Sequence, residues 1–390
     1  MKQWKQGAVT LACEELKNAV RGKKIALMMN TSAIDNQGKL LVDVMAEEKW
    51  ADIAFFLGME HGVRGNHYAG GGDTANVDEK TGIEIISLYQ FPENRPPADL
   101  VAQVDAVVFC AQDVGVRHWT YTPWLMTLID ACAQADREVI VLDRPNPIRG
   151  DIVEGAPNEK YAGRGLLSGF DYPLRHGMTV GELAHMYNEE KHIGAKLTVL
   201  KMQGWRRDMW FDETGLIWLP PSPNMPTVDS ALFFAATGLI QGANISFGVK
   251  TTTPFQYIGH PDFSGERIAN TLNDLDLPGV YFVPKFYQAS LPKDNGLPGE
   301  PVLCDGVMIV IHDRNIWRPV ETQLHIIDTL NKLYPDTFNI ARAGEFANVR
   351  MGTDRISQLS ATKESLMPLL EEWKQKAEEF KLRREKYLLY

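Results

Sequence analysis

The chain has 390 residues, 44% of them hydrophobic and 23% charged, which is the make-up of an ordinary globular protein long enough for two domains. Its formal net charge of −10, with no lysine- or arginine-rich run, argues against nucleic acid as a partner. No apolar stretch approaches the length of a membrane span, so no membrane partner is expected either.

In chain order, Met1-Lys2-Gln3-Trp4-Lys5-Gln6 is followed by only a short apolar stretch, which breaks at Glu14-Glu15. That is no signal-peptide core, so the chain as written is expected to be cytoplasmic, or exported if a leader has been removed. Segments 25–29, 53–57, 83–88, 106–110 and 139–142 read as short apolar strands, with helices at about 39–49 and 121–135 between them. A looser continuation gives a helix at about 179–190, a strand at 197–201 and a helix at about 227–240. Continuous apolar strands separated by helices predict a Rossmann-like, doubly wound, mostly parallel sheet covered on both faces, here over 1–240. No G-x-G-x-x-G follows the first strand, and Gly70-Gly71-Gly72 lacks the Lys-Ser/Thr of a P-loop, so no cofactor is implied. Between 218 and 227 four prolines in seven residues make a stiff connector, a linker or the wall of a cleft, after which Thr227 suits a helix N-cap. Residues 241–390 read as a second, smaller α/β unit: strands at 279–283 and 307–312, a helix at about 321–333, and a long charged helix at about 364–388.

Cys13, Cys110, Cys132 and Cys304 form no CxxC pair, so neither a zinc knuckle nor a redox dithiol is signalled. Cys110, in an apolar strand, and Cys132, in a helix, read as small buried hydrophobes. Glu60, His61, His67, Asp73 and Asp78 lie close together but lack H-E-x-x-H spacing, and no metal is expected.

Five loops carry the chemistry-bearing residues. They are Glu60-His61-Gly62-Val63-Arg64-Gly65; Gln112-Asp113-Val114-Gly115-Val116-Arg117 with Trp119 and Tyr121; Asp143-Arg144-Pro145-Asn146-Pro147 with Glu154; Arg175-His176-Gly177-Met178-Thr179; and Gly248-Val249-Lys250-Thr251-Thr252. Most follow strands, and in a doubly wound sheet such loops share one edge. Carboxylates there can move protons, arginines can grip an acid group bidentately, and aromatic faces can stack on a sugar ring. Plainer readings stand beside these. Glu60 and Arg64 could pair at the surface, Asp113 could cap its own turn, and Asp143 and Arg144 could form a structural pair. Thr179 and Glu182 match a capping box.

Together these loops resemble the NamZ family, the exo-β-N-acetylmuramidases, in Glu60-His61-Gly62, Gln112 to Arg117, Leu142 to Pro147, Val153-Glu154-Gly155, His176 to Leu183 and Pro220 to Thr227. The resemblance implies a glycoside hydrolase that releases N-acetylmuramic acid from the non-reducing end of peptidoglycan fragments, a small carbohydrate substrate. It implies an active site between a Rossmann-like domain and a smaller C-terminal α/β domain, and it favours Glu60 as the catalytic residue. Asp113 is then the first choice for a second carboxylate, followed by Asp143 and Glu154. Arg64, Arg117 and Arg144 are candidates for the lactyl carboxylate, His61 and His176 for sugar hydroxyls, and Trp119 and Tyr121 for stacking. One departure is visible. The family's Gly-Arg-Gly-Thr-Thr reads Gly248-Val249-Lys250-Thr251-Thr252 here, so Lys250 and Thr251 are candidates for a changed substrate contact. A non-catalytic muramyl-sugar binding protein, or a hydrolase of shifted sugar specificity, is the alternative.

Overall fold

The computed structural model describes residues 8–67, 70–292 and 298–390; the first seven residues of the segment read for a leader lie outside them. Helix α1 (Cys13–Val20) precedes β1 (Lys24–Met29), which is buried from its second residue onward. Then follow α2 (Leu41–Glu47), β2 (Asp52–Gly58), β3 (Glu84–Ser87), α3 (Ala98–Val101) and β4 (Ala106–Cys110). Next come α4 (Tyr121–Gln134), β5 (Glu138–Leu142), α5 (Val180–Glu190) and β6 (Lys196–Leu200). All five strand pairings are parallel, and the order is β3-β2-β1-β4-β5-β6. This is the Rossmann-like sheet expected from the apolar strands. Its central members are unbroken runs such as Ala-Val-Val-Phe-Cys in β4, buried on both faces because helices cover both sides. The order reverses between β1 and β4, and the loops after β1, β2 and β4 crowd that switch point.

Helix α5 opens on the expected capping box of Thr179 and Glu182. Thr227 does not cap the next helix, α6 (Asp229–Thr237). Val228 stands at that position, and the Thr227 hydroxyl instead lies 3.1 Å from that of Ser230. The rest of the chain adds β7 (Tyr257–His260), α7 (Gly265–Asn273), β8 (Val280–Pro292), β9 (Pro298–Ile311) and α8 (Pro319–Leu333). It closes with α9 (Glu345–Met351), α10 (Arg355–Thr362) and α11 (Met367–Arg384). The second sheet is antiparallel, ordered β7-β9-β8. Its two long strands outrun the short ones expected at 279–283 and 307–312. Their far parts expose Phe286 and Leu303 on one face and bury Tyr287, Ala289 and Cys304 in a small separate cluster on the other.

Helix α11 is charged outside and buries Leu369, Leu370, Trp373, Ala377 and Phe380 at helical spacing. One continuous apolar cluster joins Phe109 of β4, Phe234 of α6, Leu324 of α8 and Trp373 of α11, so the two sheets' helices share a core. All four cysteines are free and buried, which bears out the reading of Cys110 and Cys132. No described helix is long and apolar enough to cross a membrane.

Candidate active site

The loop after β2 turns sharply. His61 and Gly62 both take positive φ, 70° and 76°. A Cβ on Gly62 would lie 2.6 Å from Asp73 Oδ1 and 2.8 Å from the His67 ring, so only glycine fits. His61 has no such excuse, and holding a non-glycine residue there costs roughly 1–2 kcal/mol. The surroundings enforce it: its N–H donates to the Gly71 carbonyl at 2.9 Å, and its Nδ1 donates to the His67 carbonyl at 2.9 Å. A carbonyl only accepts, so Nδ1 carries a proton, and in the neutral ring Nε2 is the acceptor.

The turn delivers the half-buried Glu60 to the start of α4, across the switch point. Glu60 Oε2 accepts a 2.6 Å hydrogen bond from the Thr120 hydroxyl, and Oε1 accepts the Gly70 N–H at 3.0 Å. Thr120 stands at the N-terminus of a 14-residue helix, where the aligned peptide dipoles favour negative charge. Beneath the carboxylate, the buried Tyr121 hydroxyl donates to the Pro221 carbonyl at 2.6 Å, and Asn30 Nδ2 donates to that hydroxyl. The proline-rich connector is therefore the floor of the Glu60 site rather than a free linker.

Aromatic rings carry the arrangement into the C-terminal part. His61 and Trp119 lie 6.5 Å apart, Trp119 meets Phe234 of α6 edge-on at 6.0 Å, and Phe234 meets Phe255 at 4.7 Å. Trp119 is 7% exposed and Tyr121 fully buried, so of the two only Trp119 retains surface to offer a ligand.

Several residues singled out in the sequence are occupied elsewhere. Arg64 forms a fork with Asp78 at 2.8 and 2.7 Å and reaches Asp43 at 2.9 Å, which ties the loop to α2. Arg117 is wholly buried and donates to the carbonyls of Ala156, Tyr172 and Met351. Burial without an acidic partner pulls its pKa down to about 10. Arg144 is buried against Gln112 Oε1 and the Ile34 carbonyl.

The carboxylates behave alike. Asp113 caps its own turn, accepting the Gly115 N–H at 2.6 Å and the Thr122 hydroxyl at 3.3 Å, with His176 Nε2 at 3.3 Å. His176 is itself fully buried, its Nδ1 accepting the Met178 N–H. Asp143 accepts from Thr179 Oγ1 at 2.7 Å, Gly181 N at 2.9 Å and the Tyr390 hydroxyl at 2.7 Å. Burial outweighs those bonds and pushes its pKa up to about 6. Glu154 pairs with buried Arg175 at 2.5 Å and caps α8 by accepting the Val320 N–H at 3.0 Å, and burial raises its pKa as well.

Lys250 is exposed, at φ 67°, and Thr251 closes its own turn with a 2.6 Å hydrogen bond to the Gly248 carbonyl. That loop approaches the site through Phe255 and Phe234. The structure thus brings Glu60, His61 and Trp119 together over Tyr121. It sets Arg64, Arg117, Arg144, Asp113, Asp143, Glu154 and His176 into the scaffold around them. Among the described residues, no group of three or more His, Cys, Asp or Glu side chains is placed to hold a metal ion.

Two contributors had no conspicuous signal. Thr120 was hidden among the aromatics of its loop. Arg350, in the plain segment Asn348-Val349-Arg350-Met351, is a buried guanidinium from α9 on which the Glu60 charge acts.

Comparison with known proteins agrees with this architecture. Residues 25–229 match the family model "Exo-beta-N-acetylmuramidase NamZ, N-terminal", and residues 232–390 match its C-terminal counterpart. The chain is 37% identical, over 99% of its length and 91% of the relative's, to peptidoglycan beta-N-acetylmuramidase NamZ of Bacillus subtilis (strain 168). Crystal structures of two DUF1343 family proteins from Bacteroides fragilis NCTC 9343 superpose at TM-scores of 0.85 and 0.73, with 31% and 28% identity, each covering 98% of this chain and 99% of its own. The chain belongs to the NamZ family, with its N-terminal and C-terminal parts in order.

Proposed function

We propose that this protein is an exo-acting β-N-acetylmuramidase, a glycosidase that releases N-acetylmuramic acid from the non-reducing end of peptidoglycan fragments, with Glu60 as its acid/base. Family membership supports the reaction. The observation that carries the residue is the Glu60 carboxylate, half-exposed and held by Thr120 and Gly70 at a helix N-terminus on the sheet's switch point. His61 Nε2 is free to accept from a sugar hydroxyl, and Trp119 offers an apolar edge to the ring. We take the catalytic unit as residues 1–240, with 241–390 completing the site.

A carboxylate nucleophile would have to stand about 5–5.5 Å from the acid, and an inverting base about 6.5–9.5 Å. Asp113 accepts the Thr122 hydroxyl, two residues beyond the Thr120 that holds Glu60. We therefore give Glu60 the proton delivered to the leaving oxygen, and give Asp113, which binds the Thr122 hydroxyl, the role of fixing the turn that carries Thr120.

The test is hydrolysis of a chromogenic N-acetyl-β-muramide by the wild type and by Glu60→Gln. The variant should fall more than about a hundredfold in turnover with an unchanged melting temperature. Activity within tenfold of wild type would remove Glu60 from the role. Binding without release by the wild type would favour a non-catalytic muramyl-sugar binder.

A further inference from the structure

Muramyl sugars differ from their glucosamine parents by a 3-O-lactyl group, whose carboxylate calls for a cation. The arginines nominated for it are consumed by the scaffold. Arg64 has two aspartates, Arg117 three carbonyls, and Arg144 a glutamine and a carbonyl.

Arg350 is different. It is 2% exposed, its Nη1 makes one long bond of 3.3 Å to the Gly238 carbonyl, and its Nε is buried with no partner at all. Among the described residues no acidic group is salt-bridged to it, and its guanidinium carbon lies 5.4 Å from the Phe346 ring centroid, one turn back on α9. A guanidinium out of water with most of its fork unused is an unfavourable resting state, and it is the state that a planar anion relieves.

Its neighbours place it beside the site. Gly238 follows directly on α6, the helix whose Phe234 touches both His118 at 4.5 Å and Trp119 at 6.0 Å. A Cβ on Gly238 would collide with His118 Nε2, so the helix end, the histidine and the guanidinium are in close packing. Among the described residues, neither ring nitrogen of His118 nor the Trp119 indole N–H has a hydrogen-bond partner. Burial lowers the Arg350 pKa to about 10, while the Glu60 charge acts in the opposite direction.

We infer that Arg350 is the specificity-determining residue for the lactyl group, its free guanidinium edge meeting the substrate carboxylate while Glu60 serves the glycosidic oxygen. This rests on the muramidase reading above and deepens it. It makes the C-terminal part a supplier of substrate recognition, since α9 brings that charge to the N-terminal loops.

The experiment compares a chromogenic N-acetyl-β-muramide with its lactyl methyl ester, nearly equal in size but uncharged, on the full chain. The ratio of the two kcat/KM values does not depend on how much of a variant is folded. Wild type should prefer the acid by at least about tenfold. Arg350→Gln should lose that preference, mainly through a higher KM for the acid, and Arg350→Lys should keep part of it as a point charge. A wild type indifferent to the charge, or an Arg350→Gln variant that keeps the preference within threefold, would overturn the assignment. So would an equal loss on both substrates, which would place Arg350 in service of Glu60 instead. Should the wild type hydrolyse neither, the muramidase reading fails by itself. Thermal stabilisation by free N-acetylmuramic acid over its methyl ester, present in wild type and absent in Arg350→Gln, then still decides the inference.

Discussion

Thr120→Val isolates the hydrogen bond that distinguishes Glu60 from an ordinary loop carboxylate. The two side chains have nearly the same shape, so the change removes a hydroxyl and little else. That hydroxyl makes no cap bond to the α4 backbone, and its partner is Glu60 Oε2 at 2.6 Å. A hydrogen bond to a charged group is worth about 1.5–3 kcal/mol. Glu60 is only half-buried and water can replace part of the loss, so the lower part of that range applies. About 1.5–2 kcal/mol corresponds to a roughly 10–30-fold fall in kcat/KM. The melting temperature should move by no more than a few degrees, because neither the helix nor the core loses a contact. Steady-state hydrolysis of the chromogenic muramide reads the effect, with Thr120→Ser as the control that keeps the hydroxyl. Thr120→Val within threefold of wild type would refute the reasoning, as would a Thr120→Ser variant that falls equally far.

Asp143 gives a pH signature. Its pKa is about 6 in the fold against an ordinary value of 3.8, so the folded state holds its proton more tightly than the unfolded chain does. Its contribution is therefore most favourable below about 4 and is lost as pH rises from there to about 6, by on the order of 3 kcal/mol. Asp143→Asn should flatten that part of the wild-type stability profile in urea titrations; an unchanged slope between pH 4 and 6 would rule the effect out. Lys250 sits at φ 67°, a conformation that costs a side chain roughly 1–2 kcal/mol. Lys250→Gly should thus stabilise the protein by roughly 0.5–1 kcal/mol after glycine's own entropy is deducted, measured by denaturant unfolding. A loss of stability would instead show that the lysine side chain holds the loop.

The division of labour between sequence and fold can be followed residue by residue. Apolar runs at 25–29, 53–57, 106–110 and 139–142 announced a parallel sheet, because strands buried on both faces need no polar alternation. The Thr179 and Glu182 capping box was readable for the same reason: its partners lie three residues apart. The loop Glu60-His61-Gly62 pointed to the proposed site, since a carboxylate and an imidazole stand side by side on a glycine turn in the sequence itself. What no local pattern revealed was which charges remain free. Arg117 is tied into the scaffold because acceptors 39, 55 and 234 residues away close around it. Asp143 is claimed by a tyrosine 247 residues on. Arg350, ordinary in its own helix, is buried with one long bond to the Gly238 carbonyl and its guanidinium over Phe346, within the field of Glu60, because α9 packs it there. Hydrogen-bond partners are assigned by distance in space, so the sequence determined where the reactive groups gather and tertiary packing decided which of them is available to a ligand.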